Sequence, residues 1–248
     1  MTQPKFILHW LSQSRAHRIV WLFEELDLPY ELKIYKRTKE YRSPPELIKL
    51  HPLGRSPVLE IIEDNKSKYI IESGHIIQYL IEKYDRDGKL VPITDDEKEQ
   101  VGFYLHFGEG TLQPDLVSLL VNNTAKHKAP WGFKFLASQI TNGINKGFYE
   151  PHLLTNLDFL ESKIKAQHEL GSKYFVGHKL SGADLILLFP IYANIFSDPK
   201  RVSEMFKASK PIEKIYPHLY QWSQDIIKEP KLIKANESIS TYDKEAKL

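Results

Sequence analysis

The 248-residue sequence contains no cysteine. Without thiols the chain forms no disulfide and carries no cysteine nucleophile. It also has no thiolate ligands for zinc and no CxxC motif for redox chemistry. An excess of one charge is also missing, because 34 Lys and Arg residues stand against 32 Asp and Glu residues. General nucleic-acid binders have a strongly basic face, so this balance argues against that class.

Long apolar segments are absent as well. The most apolar stretch, residues 185–196, is too short to span a bilayer and contains Pro190. The N-terminus lacks the long apolar centre and small-residue cleavage site of a signal peptide. We therefore expect a soluble, cytoplasmic protein. Its 42% hydrophobic and 27% charged residues are ordinary for a globular chain of one large or two small domains.

The first part of the chain, residues 1–86, alternates short apolar runs with helical patterns. The predicted order is β-α-β-α-β-β-α, which predicts an α/β domain with helices on the faces of its sheet. Strands are expected at 6–9, 30–35, 58–62 and 69–71. Helices are expected at 15–26, from Pro44-Pro45 onward, and after a cap at Ser73.

Residues 85–96 are polar and predict a linker, and the pattern of 96–248 is helical throughout. We expect an all-α domain with helices at 97–121, 131–148, 153–169, 181–196 and 217–228. Pro114 should kink the first of these helices. Ser181 and Asp184 predict a capping box that starts a buried helix, which is a structural role.

Pro57 directly precedes a predicted strand, in the sequence H-P-L-G-R-S-P-V-L at 51–59. Only about 5–6% of X–Pro bonds are cis, so a trans turn is the default interpretation. A cis bond would turn the backbone of Ser56 outward and leave it available for pairing.

Glu72 and Ser73 lie between a predicted strand and the helix that follows. A helix N-terminus attracts a carboxylate, the Ser73 hydroxyl can add a hydrogen bond, and Glu72 can attract an ammonium group. Together they could hold an α-amino acid head group. The alternative is an ordinary N-cap beside a solvated charge.

Ser12 and Ser14 lie between the first strand and the first helix. A hydroxyl there can bond an anion held at the helix start, and the alternative is simple capping. No G-x-S-x-G surrounds either serine, which argues against a serine hydrolase. None of the 10 histidines has a metal-ligand spacing, and His51, His75 and His106 are expected at the surface or in the core.

Taken together, these pieces resemble a cytosolic-type glutathione transferase over about residues 5–230. The resemblance rests on S-R-A-H-R-I-V-W-L-F-E-E-L (14–26), H-P-L-G-R-S-P-V-L (51–59), E-S-G-H-I-I-Q-Y-L (72–80), E-G-T-L-Q-P (109–114) and L-S-G-A-D (180–184). These motif sequences are most similar to those of a fungal group and its bacterial relatives. The resemblance implies a thioredoxin-like domain, an all-α helical bundle, a homodimer, and a detoxifying transferase that uses glutathione as co-substrate with no other cofactor and no metal.

The resemblance also implies roles for individual residues. Pro57 would be a cis proline, and the Ser56 backbone would pair with the cysteinyl part of glutathione. Glu72 and Ser73 would hold the γ-glutamyl head. The remaining contacts, to the glycyl carboxylate, would come from His51 and Arg55.

The thiolate would be stabilised by a hydroxyl of the first loop. Ser14 fits best by its S-R-A context and Ser12 is the alternative, because the loop is one residue shorter than the usual serine pattern. The apolar electrophile would bind near Tyr104, Phe107 and Thr111.

Two other functions stay open at this stage. A glutathione-dependent peroxidase or thiol reductase would use the same glutathione site, and a non-catalytic interaction module could share the fold. The C-terminal Ala246-Lys247-Leu248 has the form of a relaxed peroxisomal address. We expect the tail from Ser238 onward to be free, and the alternative is a Lys-rich tail that happens to end in Leu.

Overall fold

The first part of the chain folds around a four-stranded sheet. In the computed structural model, which describes residues 4–12, 14–206 and 208–242, the strands are β1 (Lys5–Leu11), β2 (Tyr30–Tyr35), β3 (Val58–Glu63) and β4 (Lys66–Ile71). Their spatial order is β2-β1-β3-β4. β1 pairs in parallel with β2, whereas β1–β3 and β3–β4 are antiparallel.

Three helices flank this sheet: α1 (His17–Glu25), α2 (Pro45–Leu50) and α3 (Ser73–Tyr84). Alternate residues of β1, Phe6, Leu8 and Trp10, enter the core that contains α1 and α3. On the other face of the sheet, Leu47 of α2 packs with Leu11. The predicted α/β architecture is therefore confirmed.

The second part of the chain is helical. Its helices are α4 (Asp95–Phe107), α5 (Gln113–Lys128), α6 (Lys134–Ile144), α7 (Glu150–Glu169), α8 (Gly182–Leu188), α9 (Pro199–Met205), α10 (Ile212–Ile215), α11 (Pro217–Ile226) and α12 (Pro230–Tyr242). None of the described helices is long and apolar enough to cross a membrane. π-helical segments at Gly108–Leu112, Asn145–Tyr149 and Phe189–Phe196 follow α4, α6 and α8.

The predicted helix 97–121 is interrupted directly before Pro114 by the π-helical segment Gly108–Leu112. Pro114 itself occupies the first turn of α5. A proline has no N–H to donate to the preceding turn, and the wider π turn accommodates that missing bond.

The capping box at the start of α8 is present as predicted. Asp184 is fully buried and accepts hydrogen bonds from the backbone N–H of Phe175 (3.0 Å) and Ser181 (3.2 Å) and from the indole of Trp222 (3.1 Å). Burial raises the pKa of Asp184 to about 6, although these bonds oppose the change.

Three helices were not predicted from the sequence: α9, α10 and α12. Of these, α12 packs on α1 and buries Leu232, Ala235 and Ile239. Lys234 also pairs with Glu24 at 2.6 Å. The expected free tail from Ser238 is therefore wrong as far as Tyr242, because this stretch is helical; Ala246-Lys247-Leu248 lies outside the described residues.

Candidate active site

The loop before β3 places Ser56 against the end of β1. The peptide bond between Ser56 and Pro57 is cis. The Ser56 hydroxyl donates to the carbonyl of His9 (3.2 Å) and accepts from the N–H of Leu11 (3.1 Å). These two hydrogen bonds hold the Ser56 side chain against the backbone of β1.

Ser14 lies directly beside Ser56, with 3.3 Å between the two hydroxyl oxygens. Because a hydroxyl has one proton and Ser56 gives its proton to His9, we assign Ser14 as the donor in this contact. The distance is long for an O–H···O bond, which makes it weak. The Ser14 proton can therefore turn towards a stronger, anionic acceptor at small cost.

Ser12 has a different environment. Its N–H donates to the carbonyl of Tyr35 (2.9 Å), and its carbonyl accepts from the Nε of Arg37 (3.1 Å). The backbone of Ser12 thus extends the pairing of β1 with β2 by one residue, and its side chain is half-buried. Ser14, in contrast, reaches the Ser56 loop with its side chain.

At the start of α3 the structure corrects the expected cap. Glu72, not Ser73, occupies the N-cap position and its side chain makes no capping bond; Ser73 is the first helical residue. Glu72 has φ 70°, in the left-handed region that non-glycine residues seldom occupy. Its side chain is exposed, whereas Ser73 is buried.

Arg18 of α1 connects Ser73 to the helical domain. Its guanidinium is completely buried and donates to the Ser73 hydroxyl (3.2 Å) and to the carbonyl of Ile186 in α8 (2.8 Å). Burial lowers the pKa of Arg18, and the carboxylate of Glu109 opposes this. Because Ser73 accepts this bond, its own proton remains available to donate to a ligand.

Glu109, in the π-helical segment after α4, pairs with both arginines of the first helix region. Its carboxylate contacts Arg18 at 2.6 Å and also forms an ion pair with Arg15. Neither Arg18 nor Glu109 was predicted to have a role, although they lie inside the S-R-A-H-R and E-G-T-L-Q-P motifs. The position of Arg18 on the apolar face of a predicted helix could have indicated this ion pair, because a buried arginine requires a partner.

A cleft of about 370 Å³ opens next to this ion pair, between α3 and the end of α4. Glu72 and Glu109 both line the cleft, together with His75 and His106. Because Glu109 already pairs with Arg15 and Arg18, the carboxylate that favours a cationic group in this cleft is that of Glu72.

The other residues of the 51–59 motif form a tight turn. The N–H of Gly54 donates to the carbonyl of His51 (2.8 Å), and Gly54 has φ 55°. His51 also accepts a bond from the N–H of Leu53 (3.3 Å). Arg55 is exposed and adjacent to Ser56 in the chain.

The expected apolar pocket is corrected at one position. Tyr104 is 3% exposed and packs edge-on against Phe175, so its ring belongs to the core. Phe107 is half-buried against Phe159 of α7, and Thr111 is exposed. The residue of this segment that reaches the Ser12–Ser14 loop is Glu109, through Arg15.

Among residues 4–12, 14–206 and 208–242, no group of three or more His, Cys, Asp or Glu side chains could hold a metal ion. His75 and His106 are exposed, and His106 bonds the carbonyl of Gly102 (2.7 Å).

Comparison with known proteins decides the family. Residues 6–82 match the glutathione S-transferase N-terminal domain, and residues 150–230 match the C-terminal domain. Glutathione S-transferase 1 of Saccharomyces cerevisiae is 37% identical over 194 residues, which cover 77% of this chain and 81% of that protein. The chain belongs to the glutathione S-transferase family.

Other glutathione S-transferases agree with this assignment. Glutathione S-transferase 3 of Schizosaccharomyces pombe is 35% identical over 189 residues, or 75% of this chain and 73% of that protein. The crystal structure of a glutathione S-transferase from Actinobacillus pleuropneumoniae is 30% identical with a TM-score of 0.65, and covers 94% of this chain and 92% of that chain. The predicted fungal and bacterial affinity and the thioredoxin-like fold with its helical domain are thus confirmed.

A third structure, a glutathione transferase homologue from Lodderomyces elongisporus described with two glutathione molecules per subunit, has a TM-score of 0.71 and covers 94% of this chain and 98% of that chain. At 24% identity it supports the fold alone.

Proposed function

We propose that this glutathione S-transferase binds glutathione through Ser56, Glu72 and Ser73 and uses the Ser14 hydroxyl to stabilise the glutathione thiolate. The observation that carries the proposal is the convergence of these residues: Ser14 contacts Ser56 at 3.3 Å, and buried Arg18 links Ser73 to the same helix region. Ser14, Ser56 and Ser73, which belong to three separate sequence motifs, thus lie around the start of α1.

The γ-glutamyl head of glutathione would bind at the N-terminus of α3. Its carboxylate would accept from the Ser73 hydroxyl and from the free N–H groups of the first helical turn. Its ammonium would lie towards the cleft lined by Glu72 and Glu109. The glycyl carboxylate would lie towards His51 and Arg55, the exposed cation beside Ser56.

The cysteinyl part would pair with the backbone of Ser56 and bring its sulfur to Ser14. A free thiol titrates near ~8.5, and lowering that pKa to about 6.5 requires about 2.7 kcal/mol of preferential stabilisation of the thiolate. One hydrogen bond to a charged group contributes about 1.5–3 kcal/mol, and the N-terminus of α1 adds a smaller favourable dipole. The Ser14 proton and the helix together therefore suffice.

The reaction follows from the thiolate. Its sulfur lone pair attacks an electrophilic carbon of an apolar substrate, the C–S bond forms, and the leaving group departs with the bonding electrons. This conjugation makes the substrate more polar, which is the chemistry of detoxification. Phe107 and Thr111 remain the predicted contacts of the substrate.

The test compares Glu72→Ala with Glu82→Ala, which removes an exposed carboxylate from the same helix. Calorimetry should show glutathione binding at least tenfold weaker in Glu72→Ala, or about 1.4 kcal/mol, and unchanged in Glu82→Ala. Equal affinity in both variants would remove Glu72 from the site. Assays with a chlorinated aromatic and with cumene hydroperoxide separate conjugation from peroxidase activity.

We further propose a homodimer and a cytoplasmic location, with partial peroxisomal import through Ala246-Lys247-Leu248. Light scattering on the purified protein measures the oligomer, and a monomeric mass would contradict the dimer. An N-terminal fluorescent fusion tests the address. Diffuse fluorescence that deletion of Leu248 leaves unchanged would show that the tail has no addressing role.

A further inference from the structure

The α5–α6 hairpin is locally basic. The 34 residues 116–149 contain four lysines and neither Asp nor Glu, although the whole chain carries 32 acidic residues. Lys126, Lys128 and Lys134 therefore have no acidic residue within ten positions in the sequence. The small net charge of the whole chain does not reveal this local excess of positive charge.

The same segment exposes large apolar side chains. Trp131 is 91% exposed and Phe135 76%, and Phe133 is exposed with them. On α6, Leu136 and Ile140 are exposed four residues apart, so they share one face of the helix. We call Trp131, Phe133, Phe135, Leu136 and Ile140, together with exposed Lys128 and Lys134, the hairpin surface.

We propose that the hairpin surface docks on an anionic lipid bilayer. Trp131, Phe133 and Phe135 enter the headgroup region, where aromatic rings are favoured, while the two lysines pair with lipid phosphates. Several exposed aromatic side chains close together are unusual on the surface of a protein without a partner.

Charge and shape favour a bilayer over other partners. If two copies met through this surface about a two-fold axis, lysines of one copy would lie near lysines of the other, which is unfavourable. A groove for an acidic peptide would enclose its aromatic residues, but Trp131 projects almost completely into solvent. A fluid anionic surface accepts projecting rings and basic side chains at once.

The hairpin surface lies close to the loop of the active site. The ammonium of Lys128 is 4.9 Å from the ring centre of Tyr41, and the carbonyl of Tyr41 accepts from Arg37 at 3.2 Å. Arg37 in turn donates to Ser12. Docking would therefore hold the entrance to the proposed site near lipid, in which apolar electrophiles dissolve. The lipid binding itself does not depend on the proposed function.

The experiment is co-sedimentation of the full-length protein, without glutathione, with vesicles of phosphatidylcholine containing 30% phosphatidylserine. We expect binding to these vesicles, at least tenfold weaker binding to phosphatidylcholine alone, and a blue shift of tryptophan fluorescence on binding. Raising the salt concentration should weaken the binding.

Two variants test the surface itself. The triple variant Trp131→Ser/Phe133→Ser/Phe135→Ser and the double variant Lys128→Ala/Lys134→Ala should each lower the partition coefficient at least tenfold. The control Ile93→Ser/Lys98→Ala changes an apolar side chain 75% exposed and an exposed lysine elsewhere, and should bind like the parent. Circular dichroism and light scattering check the fold and the oligomer.

Three results would overturn the proposal. The parent protein fails to bind anionic vesicles, the triple variant binds as well as the parent, or the triple variant loses a dimer that the parent forms through this surface. The last result would assign the hairpin surface to a second copy of the chain. Glutathione affinity is measured separately on the same variants, so a failure here leaves the proposed function untouched.

Discussion

Arg18 donates a hydrogen bond to Ser73 across 3.2 Å, and both side chains are buried. One residue belongs to α1 and the other begins α3, so the bond joins two helices that approach the same site. Arg18 also contacts Glu109 and the carbonyl of Ile186, which belong to the helical domain. Arg18 therefore both contacts Ser73 and joins the two domains.

We predict that Arg18→Met lowers the free energy of unfolding by about 1–3 kcal/mol, because it removes the hydrogen bonds to Ser73 and Ile186 while Arg15 still pairs with Glu109. Arg18→Lys keeps the charge but cannot form the same set of bonds, and should lie between parent and Arg18→Met. Denaturant unfolding measures both. Asp95→Asn, which removes the exposed ion pair with Lys98, serves as control and should cost less than about 1 kcal/mol. Equal stabilities of Arg18→Met and this control would refute the structural role.

The assignment of Ser14 predicts a difference between two serines only two residues apart. In Ser14→Ala, the pKa of the bound glutathione thiol, followed by thiolate absorbance, should rise by about 1–2 pH units, because one charge-assisted bond is lost. Ser56 keeps its bonds to His9 and Leu11 in this variant, so the loop should stay folded. Ser12→Ala should leave the thiol pKa unchanged. A rise in Ser12→Ala alone would transfer the role to Ser12.

Buried Asp184 predicts a pH dependence of stability. Its pKa is about 6 in the folded protein and about 3.9 when unfolded, so between these values the folded state binds the extra proton. The contribution of Asp184 is fully present below pH ~4 and is lost as pH rises through about 6, by about 3 kcal/mol in total. Asp184→Asn does not titrate. The difference in unfolding free energy between parent and Asp184→Asn should therefore fall from pH 4.5 to 6.5, and a constant difference would contradict the prediction.

Two glycines should respond to alanine with opposite signs. Gly54 has φ 55°, and an added Cβ would lie 2.7 Å from the Cγ1 of Ile48. Since Ile48 is exposed and can move, backbone strain dominates, and Gly54→Ala should destabilise the protein by about 1–2 kcal/mol. Gly102 lies within α4 with open space around it, so Gly102→Ala should stabilise by about 0.5–1 kcal/mol. Thermal and denaturant unfolding give both values, and equal signs would refute the argument.

Local patterns account for the features that were predicted correctly. Period-two alternation over 30–35 and the capping box at Ser181 depend on residues a few positions apart. Both features can therefore be predicted from a single sequence. The turn between β3 and β4 is local in the same sense, since Asp64 and Asn65 both take positive φ. The quoted motifs were likewise sufficient to indicate the family.

The features that were missed depend on contacts between distant parts of the chain. Tyr104 looked like a pocket residue until the packing of α4 on the bundle buried its ring against Phe175. Arg18 and Glu109 are 91 positions apart in the numbering, and only the docking of the two domains buries Arg18 and makes the two residues partners. A charge looks solvated in a sequence, because the cost of burying it and the partner that offsets this cost are both set by the tertiary fold.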